Sequence, residues 1–159
     1  MLRQSLFLRI FTLLWAGILV TCQIALAGNF AVDVDGKGIA LKGHDPIAYF
    51  ADGKKAMGSA DYSAGFDGAT YHFVSAVNRD QFLDDPEKYT PAFGGFCAFG
   101  VTRSVKITGD PNAWKIVNDK LYINSSPRVL DMWSEDIPGN IKKGNENWPV
   151  IKDIDPDSL

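Results

Sequence analysis

The chain is predicted to be an α+β protein in which a small, mostly antiparallel sheet is built from β-hairpins, with helices packed on one side. Two patterns predict this class. A strand–turn–strand pattern occurs twice, and each copy is followed directly by a helix that begins at a serine. Strands and helices that are segregated in this way favour an antiparallel sheet. The length of 159 residues is sufficient for one ordinary globular domain.

The first elements are two short apolar runs that lie between glycines. Residues 39–41 (IAL) are predicted to form a strand, and residues 46–50 (PIAYF) a strand or a helical turn.

The first hairpin is the clearest local element. Its strands are residues 62–66 and 69–74, joined by Asp67-Gly68, a pair that tolerates the positive φ angles of a two-residue turn. Alternation places Tyr71 and Phe73 on one face of the second strand.

A helix is predicted immediately after this hairpin. Ser75 is a good N-cap, Val77, Phe82 and Leu83 fall on one stripe, and the run Asp84-Asp85-Pro86 ends the helix.

The second hairpin is predicted from strands at 114–117 and 121–124 that flank a loop at 118–120. Ser126 then caps a helix with Pro127 in its first turn, and Val129, Leu130 and Trp133 form its apolar stripe. Pro138 and Gly139 are expected to separate this helix from a final one around residues 140–147. Despite the recurring order of elements, we expect no internal sequence repeat.

The first 27 residues are predicted to be a cleaved secretion signal. Arg3 and Arg9 precede an apolar run at 10–20, and residues 25–27 (ALA) form a small-x-small cleavage pattern. The alternatives are a retained N-terminal anchor and lipidation at Cys22. We therefore expect a periplasmic or secreted protein whose membrane contact is limited to this segment. The remaining chain is divided into a flexible arm (28–37), the folded domain (38–150) and a flexible tail (151–159).

Charge and cysteine content exclude several classes of protein. The net charge is −3, and it becomes −5 without the two signal arginines, so a basic nucleic-acid footprint is absent. Two cysteines and two histidines exclude a four-cysteine zinc ribbon and a disulfide-dense scaffold. Removal of the signal leaves Cys97 as the only thiol. It is expected to be buried, reactive or a ligand.

Four blocks together resemble the secreted branch of the YHS-domain family, and the resemblance covers about residues 38–150. The blocks are GHDPIAYF (43–50), GATYHFVS (68–75), FLDDPEKY (82–89) and GGFCAFG (94–100). Metal-binding relatives in this family carry cysteines that bind copper or zinc. The matching positions here are Ala48, Val74 and Asn78, which offer no thiolate. The resemblance therefore implies the fold without its usual metal ligands.

Three side chains could still form a different metal site, namely His44, His72 and Cys97. Two imidazoles and a thiolate would suit copper or zinc if they converged, although their spacing matches no short metal motif. His44 lies in a Gly-His-Asp-Pro turn, where an exposed or turn-bonding imidazole is the competing interpretation.

An aromatic, glycine-spaced segment suggests a second kind of site, a pocket for a flat or apolar ligand. Its candidate residues are Tyr49, Tyr71, Phe93, Phe96 and Cys97. The competing interpretation is that these rings are simply the core of a small domain.

The sequence favours a non-enzymatic binding or accessory module with an unidentified small ligand or metal ion. The alternatives are an enzyme that uses Cys97 as a nucleophile or redox thiol, and a protein-interaction domain. The oligomeric state is not predicted.

Overall fold

A computed structural model describes residues 30–159. The predicted signal, Cys22 and the first residues of the predicted arm lie outside the described residues. Within the described range no helix is both long and apolar enough to cross a membrane. The helices and strands in chain order are α1 (Pro46–Ala51), β1 (Ser59–Phe66), β2 (Ala69–Phe73), α2 (Ala76–Asp84), α3 (Pro86–Tyr89), α4 (Ala98–Val101), β3 (Asp110–Val117), β4 (Lys120–Asn124), α5 (Pro127–Ser134) and α6 (Ile137–Ile151).

The α+β class is confirmed. Strand β1 pairs antiparallel with β2, and β3 pairs antiparallel with β4, as two separate two-stranded sheets. Asp67 and Gly68 both have positive φ, as the predicted two-residue turn requires. On β2 the alternation is also confirmed, since Tyr71 and Phe73 are buried.

Both predicted serine caps are present. The Ser75 hydroxyl accepts a hydrogen bond from the backbone N–H of Asn78 at the start of α2, and Ser126 accepts one from Val129 at the start of α5. The run at 46–50 forms a helix, because the Asp45 side chain caps it and Pro46 stands in its first turn.

Four local predictions are wrong. Residues 39–41 form no strand, because Ile39 and Ala40 make only isolated bridges and Leu41 begins a 3-10 turn. The apolar stripe of α2 reduces to Phe82, because Val77 and Leu83 face solvent. The second hairpin turn contains only Asn118 and Asp119, since Lys120 already pairs with Val117. Pro138 and Gly139 do not separate two helices but lie in the first turn of α6, where Asp136 caps the backbone N–H of Gly139.

The two halves of the domain repeat the same backbone plan at an offset of 51 residues, which the sequence did not lead us to expect. In β1–β2 the register pairs Ser59 with Phe73 and Phe66 with Ala69, with an irregularity between them. In β3–β4 the corresponding pairs are Asp110 with Asn124 and Val117 with Lys120. The capping serines, at 75 and 126, keep the same offset.

Each half has its own aromatic core. Phe82 is fully buried in the first half, where Tyr71 and Phe73 pack against it, and Trp133 is fully buried in the second half, where Tyr122 packs against it.

The chain ends attach to this body. Val32 is buried and the Asp33 backbone N–H donates to the carbonyl of Gly94. The Lys106 ammonium donates to the carbonyls of Phe30 and Lys152, so it joins the N-terminal segment to the end of α6. The predicted boundaries of the arm and the tail remain predictions.

Candidate functional site

The predicted metal donors do not form one site. The Nδ1 atom of His44 lies 3.0 Å from the carbonyl oxygen of Leu41, which is the turn-bonding arrangement. His72 lies on β2 in the same half of the protein, whereas Cys97 precedes α4 in the other half. Among residues 30–159 no three His, Cys, Asp or Glu side chains are grouped so that they could hold a metal ion. A shared copper or zinc site made of His44, His72 and Cys97 is therefore not assembled.

Ala48, Val74 and Asn78, which stand where the metal-binding relatives carry cysteine, all donate hydrogen bonds to one carboxylate, that of Asp45. Asp45 is fully buried. Its Oδ1 accepts hydrogen bonds from the backbone N–H groups of Ile47 (2.7 Å) and Ala48 (3.4 Å). Its Oδ2 accepts from the backbone N–H of Val74 (2.8 Å) and from the side-chain amide of Asn78 (2.7 Å).

These contacts make Asp45 a junction between α1, the end of β2 and α2. Both carboxylate oxygens are engaged by donors, and the neighbouring Ala48 and Val74 side chains have no electron pair to give to a metal. The residues present here consequently do not fit the soft-metal site of the relatives. In its place they form a hydrogen-bonded cross-link.

The predicted ligand residues separate into core residues and pocket residues. Tyr49 is a core residue, because its hydroxyl donates to the carbonyl of Pro111 (3.1 Å) and its ring meets Trp114 edge to face. Phe96 is buried against Trp148. Cys97 is only 1% exposed. Its Sγ lies 3.7 Å from the Oδ1 atom of Asn124.

Tyr71 and Phe93 line an open pocket between the two halves, which we call the hairpin cleft. It has a volume of about 300 Å³, and its main walls are Phe66, Tyr71, Phe93 and Trp148, with Lys120 and Lys152 among its polar residues. The β1–β2 turn, the segment before α4, the start of β4 and the end of α6 each contribute to it. The sequence did not indicate Phe66, Lys120 or Trp148, because their approach depends on how the two halves pack.

A tight backbone segment presents Phe93 to the cleft. Phe93 and Gly94 both have positive φ, and a Cβ on Gly94 would lie 1.8 Å from the carbonyl oxygen of Ala31. On the other side of the ring, Gly144 of α6 leaves room for Phe93, since a Cβ there would lie 2.6 Å from its Cζ. The absence of side chains at Gly94 and Gly144 thus allows the Phe93 ring to occupy this position.

The cations of the cleft differ in their pairing. Lys152 forms an exposed ion pair with Asp153 (2.7 Å). Lys120 donates to the backbone carbonyl of Glu87 and has no carboxylate within ion-pair distance among residues 30–159. Burial lowers the pKa of Lys120, while the nearby Glu87 and Asp85 act in the opposite direction. Lys120 is therefore a partly desolvated cation beside aromatic surface.

Comparison with known proteins supports the family resemblance over part of the chain. The family model of the YHS domain matches residues 47–92, so the chain contains a YHS domain there. This match covers α1 to α3 and ends at the segment that carries Phe93. No curated protein and no solved structure matches the chain.

Proposed function

Because the chain carries a YHS domain that lacks the usual metal ligands, we propose that it is a non-enzymatic binding module, exported to the periplasm or beyond, with a small ligand in the hairpin cleft. The observation that carries this proposal is the cleft itself, an open pocket of about 300 Å³ whose lining includes four aromatic residues and Lys120. Small-molecule sites are commonly built from apolar walls and a few convergent polar groups.

The lining defines the ligand class. Phe66, Phe93 and Trp148 offer aromatic surface to a flat apolar body. The Lys120 ammonium donates to the Glu87 carbonyl and forms no ion pair among the described residues, although Glu87 and Asp85 lie nearby, so an anionic ligand group can relieve its desolvation. The ligand that fits is a small aromatic acid.

Calorimetric titration with naphthoate tests this proposal. We expect binding to the folded protein and an affinity about tenfold lower in Lys120→Met, which keeps the aliphatic packing of the side chain but removes its charge. Lys142→Met, at an exposed position of α6, is the matched control and should leave the affinity unchanged. Absence of naphthoate binding, or equal losses in the two variants, would reject the cleft as the site.

Export is tested separately by expression of the full chain and mass measurement of the product. The proposal expects a mature protein that begins at Gly28 in the periplasmic fraction. A full-length product confined to the cytoplasm would overturn this part of the proposal and leave the cleft unaffected.

A further inference from the structure

The backbone repeat assigns an equivalent in the second half to the Asp45 cluster. The segments before α1 and α4 correspond at an offset of 52 residues, because Leu41 to Gly43 and Phe93 to Gly95 all have positive φ. The backbone N–H of Asp45 donates to the carbonyl of Ala56, and that of Cys97 donates to the carbonyl of Ile107. Cys97 therefore stands where Asp45 stands in the first half.

The other members of the cluster have equivalents that are smaller or apolar. Gly100 replaces Ala48, Ser125 replaces Val74 and Val129 replaces Asn78. No carboxylate or amide from these positions fills the space in the second half. Cys97, Gly100, Ser125 and Val129 instead line a cavity of about 280 Å³, which we call the Cys97 cavity.

The Cys97 cavity is open to solvent and mainly apolar, with one cation. Phe99, Val105, Ile107 and Met132 complete the walls, and Ile107 and Met132 are 47% and 37% exposed. Arg103 also lines the cavity. An apolar molecule that entered here would cover side chains that otherwise face water.

Arg103 is held in place but is not neutralised. Its guanidinium lies 3.8 Å from the centre of the Phe99 ring, and Nη1 donates to the carbonyl of Phe99 (3.1 Å) and to the Thr102 hydroxyl (3.4 Å). The ion pairs among residues 30–159 join Arg79 to Asp80 and Lys152 to Asp153, so Arg103 has no acidic partner there. Its Nε and Nη2 groups match the fork geometry of a carboxylate.

A buried polar group lies beside the cavity wall. Asn124 is fully buried, and its Oδ1 accepts a hydrogen bond from the backbone N–H of Phe99 (3.1 Å) and contacts the Cys97 thiol. Among the described residues its Nδ2 has no hydrogen-bond partner. A buried donor without a partner is rare in folded proteins.

We propose that the Cys97 cavity is a second ligand site that takes a medium-chain aliphatic carboxylate, with the chain among the apolar walls and the carboxylate on Arg103. The volume lies just below the range for small-molecule pockets, roughly 300 to 1,000 Å³, so the ligand is small. Cys97 borders the cavity but is only 1% exposed, and its thiol undergoes no reaction. This site does not depend on the hairpin cleft, which has different lining residues.

Titration with octanoate, followed by calorimetry and by amide NMR shifts, tests the proposal. We expect binding that shifts the amide signals of Gly100 and Val129, and an affinity about tenfold lower for octanol, which lacks the charge. Arg103→Gln should lower octanoate affinity by a similar factor and leave octanol affinity unchanged. Arg128→Gln, at another exposed arginine, is the matched control and should change neither.

Steric filling provides a test that does not involve charge. Val129→Trp places an indole in the cavity and should abolish octanoate binding, while dispersed amide signals confirm that the variant folds. If this variant is unfolded, Met132→Trp at a more exposed position serves the same purpose. Absence of octanoate binding at about 1 mM, equal binding of octanoate and octanol, or binding that survives filling of the cavity would overturn the proposal.

Discussion

The Asp45 cross-link makes a strong prediction about stability. Asp45→Ala removes a fully buried carboxylate that accepts four hydrogen bonds, from Ile47, Ala48, Val74 and Asn78. The substitution deletes the N-cap of α1, and it also leaves donors of β2 and α2 without an acceptor.

The magnitude follows from these two losses. Loss of an N-cap side chain costs about 1 kcal/mol. Each donor left unsatisfied in the interior costs about 1 to 3 kcal/mol, and the Val74 N–H and the Asn78 amide are both only partly buried, which favours the lower end. We therefore expect the free energy of unfolding to fall by about 3 to 5 kcal/mol, a large part of the roughly 5 to 15 kcal/mol of a typical domain.

Urea unfolding followed by circular dichroism measures this loss. Ser126→Ala is the matched control, because Ser126 caps α5 through one hydrogen bond to Val129 and should cost only about 1 kcal/mol. Asn78→Ala and the double variant complete a cycle, for which we expect a coupling of about 1.5 to 3 kcal/mol, typical of a hydrogen bond to a charged group. If Asp45→Ala costs no more than Ser126→Ala, the carboxylate is not the cross-link that its contacts indicate.

Three further predictions concern other parts of the protein. Gly94→Ala should displace the N-terminal segment and lower the urea midpoint sharply, because the new Cβ would overlap the carbonyl of Ala31 at a positive φ; an unchanged midpoint would contradict the observed close approach. Burial raises the pKa values of Tyr49 and Tyr71, so the unfolded chain loses those protons first and stability should fall as pH rises above about 10. The free energy of unfolding of Tyr71→Phe should fall less between about pH 9 and 11 than that of the parent protein. Lysines with lowered pKa act in the opposite direction, but they are the same in both proteins, so their effect cancels in the comparison. An equal fall would refute the role of Tyr71. The thiol of Cys97 should react with Ellman's reagent only after denaturation, whereas rapid reaction of the native protein would favour its use as a nucleophile.

Local features of the fold were predictable because their causes lie within a few residues of each other. The Asp67-Gly68 turn needs only two residues that accept positive φ, and the caps at Ser75 and Ser126 need only a hydroxyl before a helix. The wrong predictions concern features that depend on how the elements pack against each other. Leu83 has the correct spacing for the core, yet α2 presents only Phe82 to the hairpin.

The candidate site was less predictable, since it depends on contacts between residues far apart in sequence. His44, His72 and Cys97 are the residue types that bind metals, but nothing in their spacing fixes their separation, and the fold places Cys97 in the other half. The sequence predicts Lys120 in a loop, whereas in the structure it is the first residue of β4 and lines the hairpin cleft.

The backbone repeat explains how one plan can carry two different sites. The features that hold each half together are equivalent: a two-residue turn, a serine cap, and a buried ring that is Phe82 in one half and Trp133 in the other. These features fix the backbone. The residue that precedes the first helix of each half, Asp45 before α1 and Cys97 before α4, can therefore differ without loss of the fold. Asp45 joins its own cluster with hydrogen bonds, whereas in the second half Asn124 accepts from the Phe99 N–H and contacts Cys97, and a cavity borders Cys97. The second half therefore keeps an open cavity beside the positions that are equivalent to the Asp45 cluster, because Gly100 and Ser125 fill less space than Ala48 and Val74.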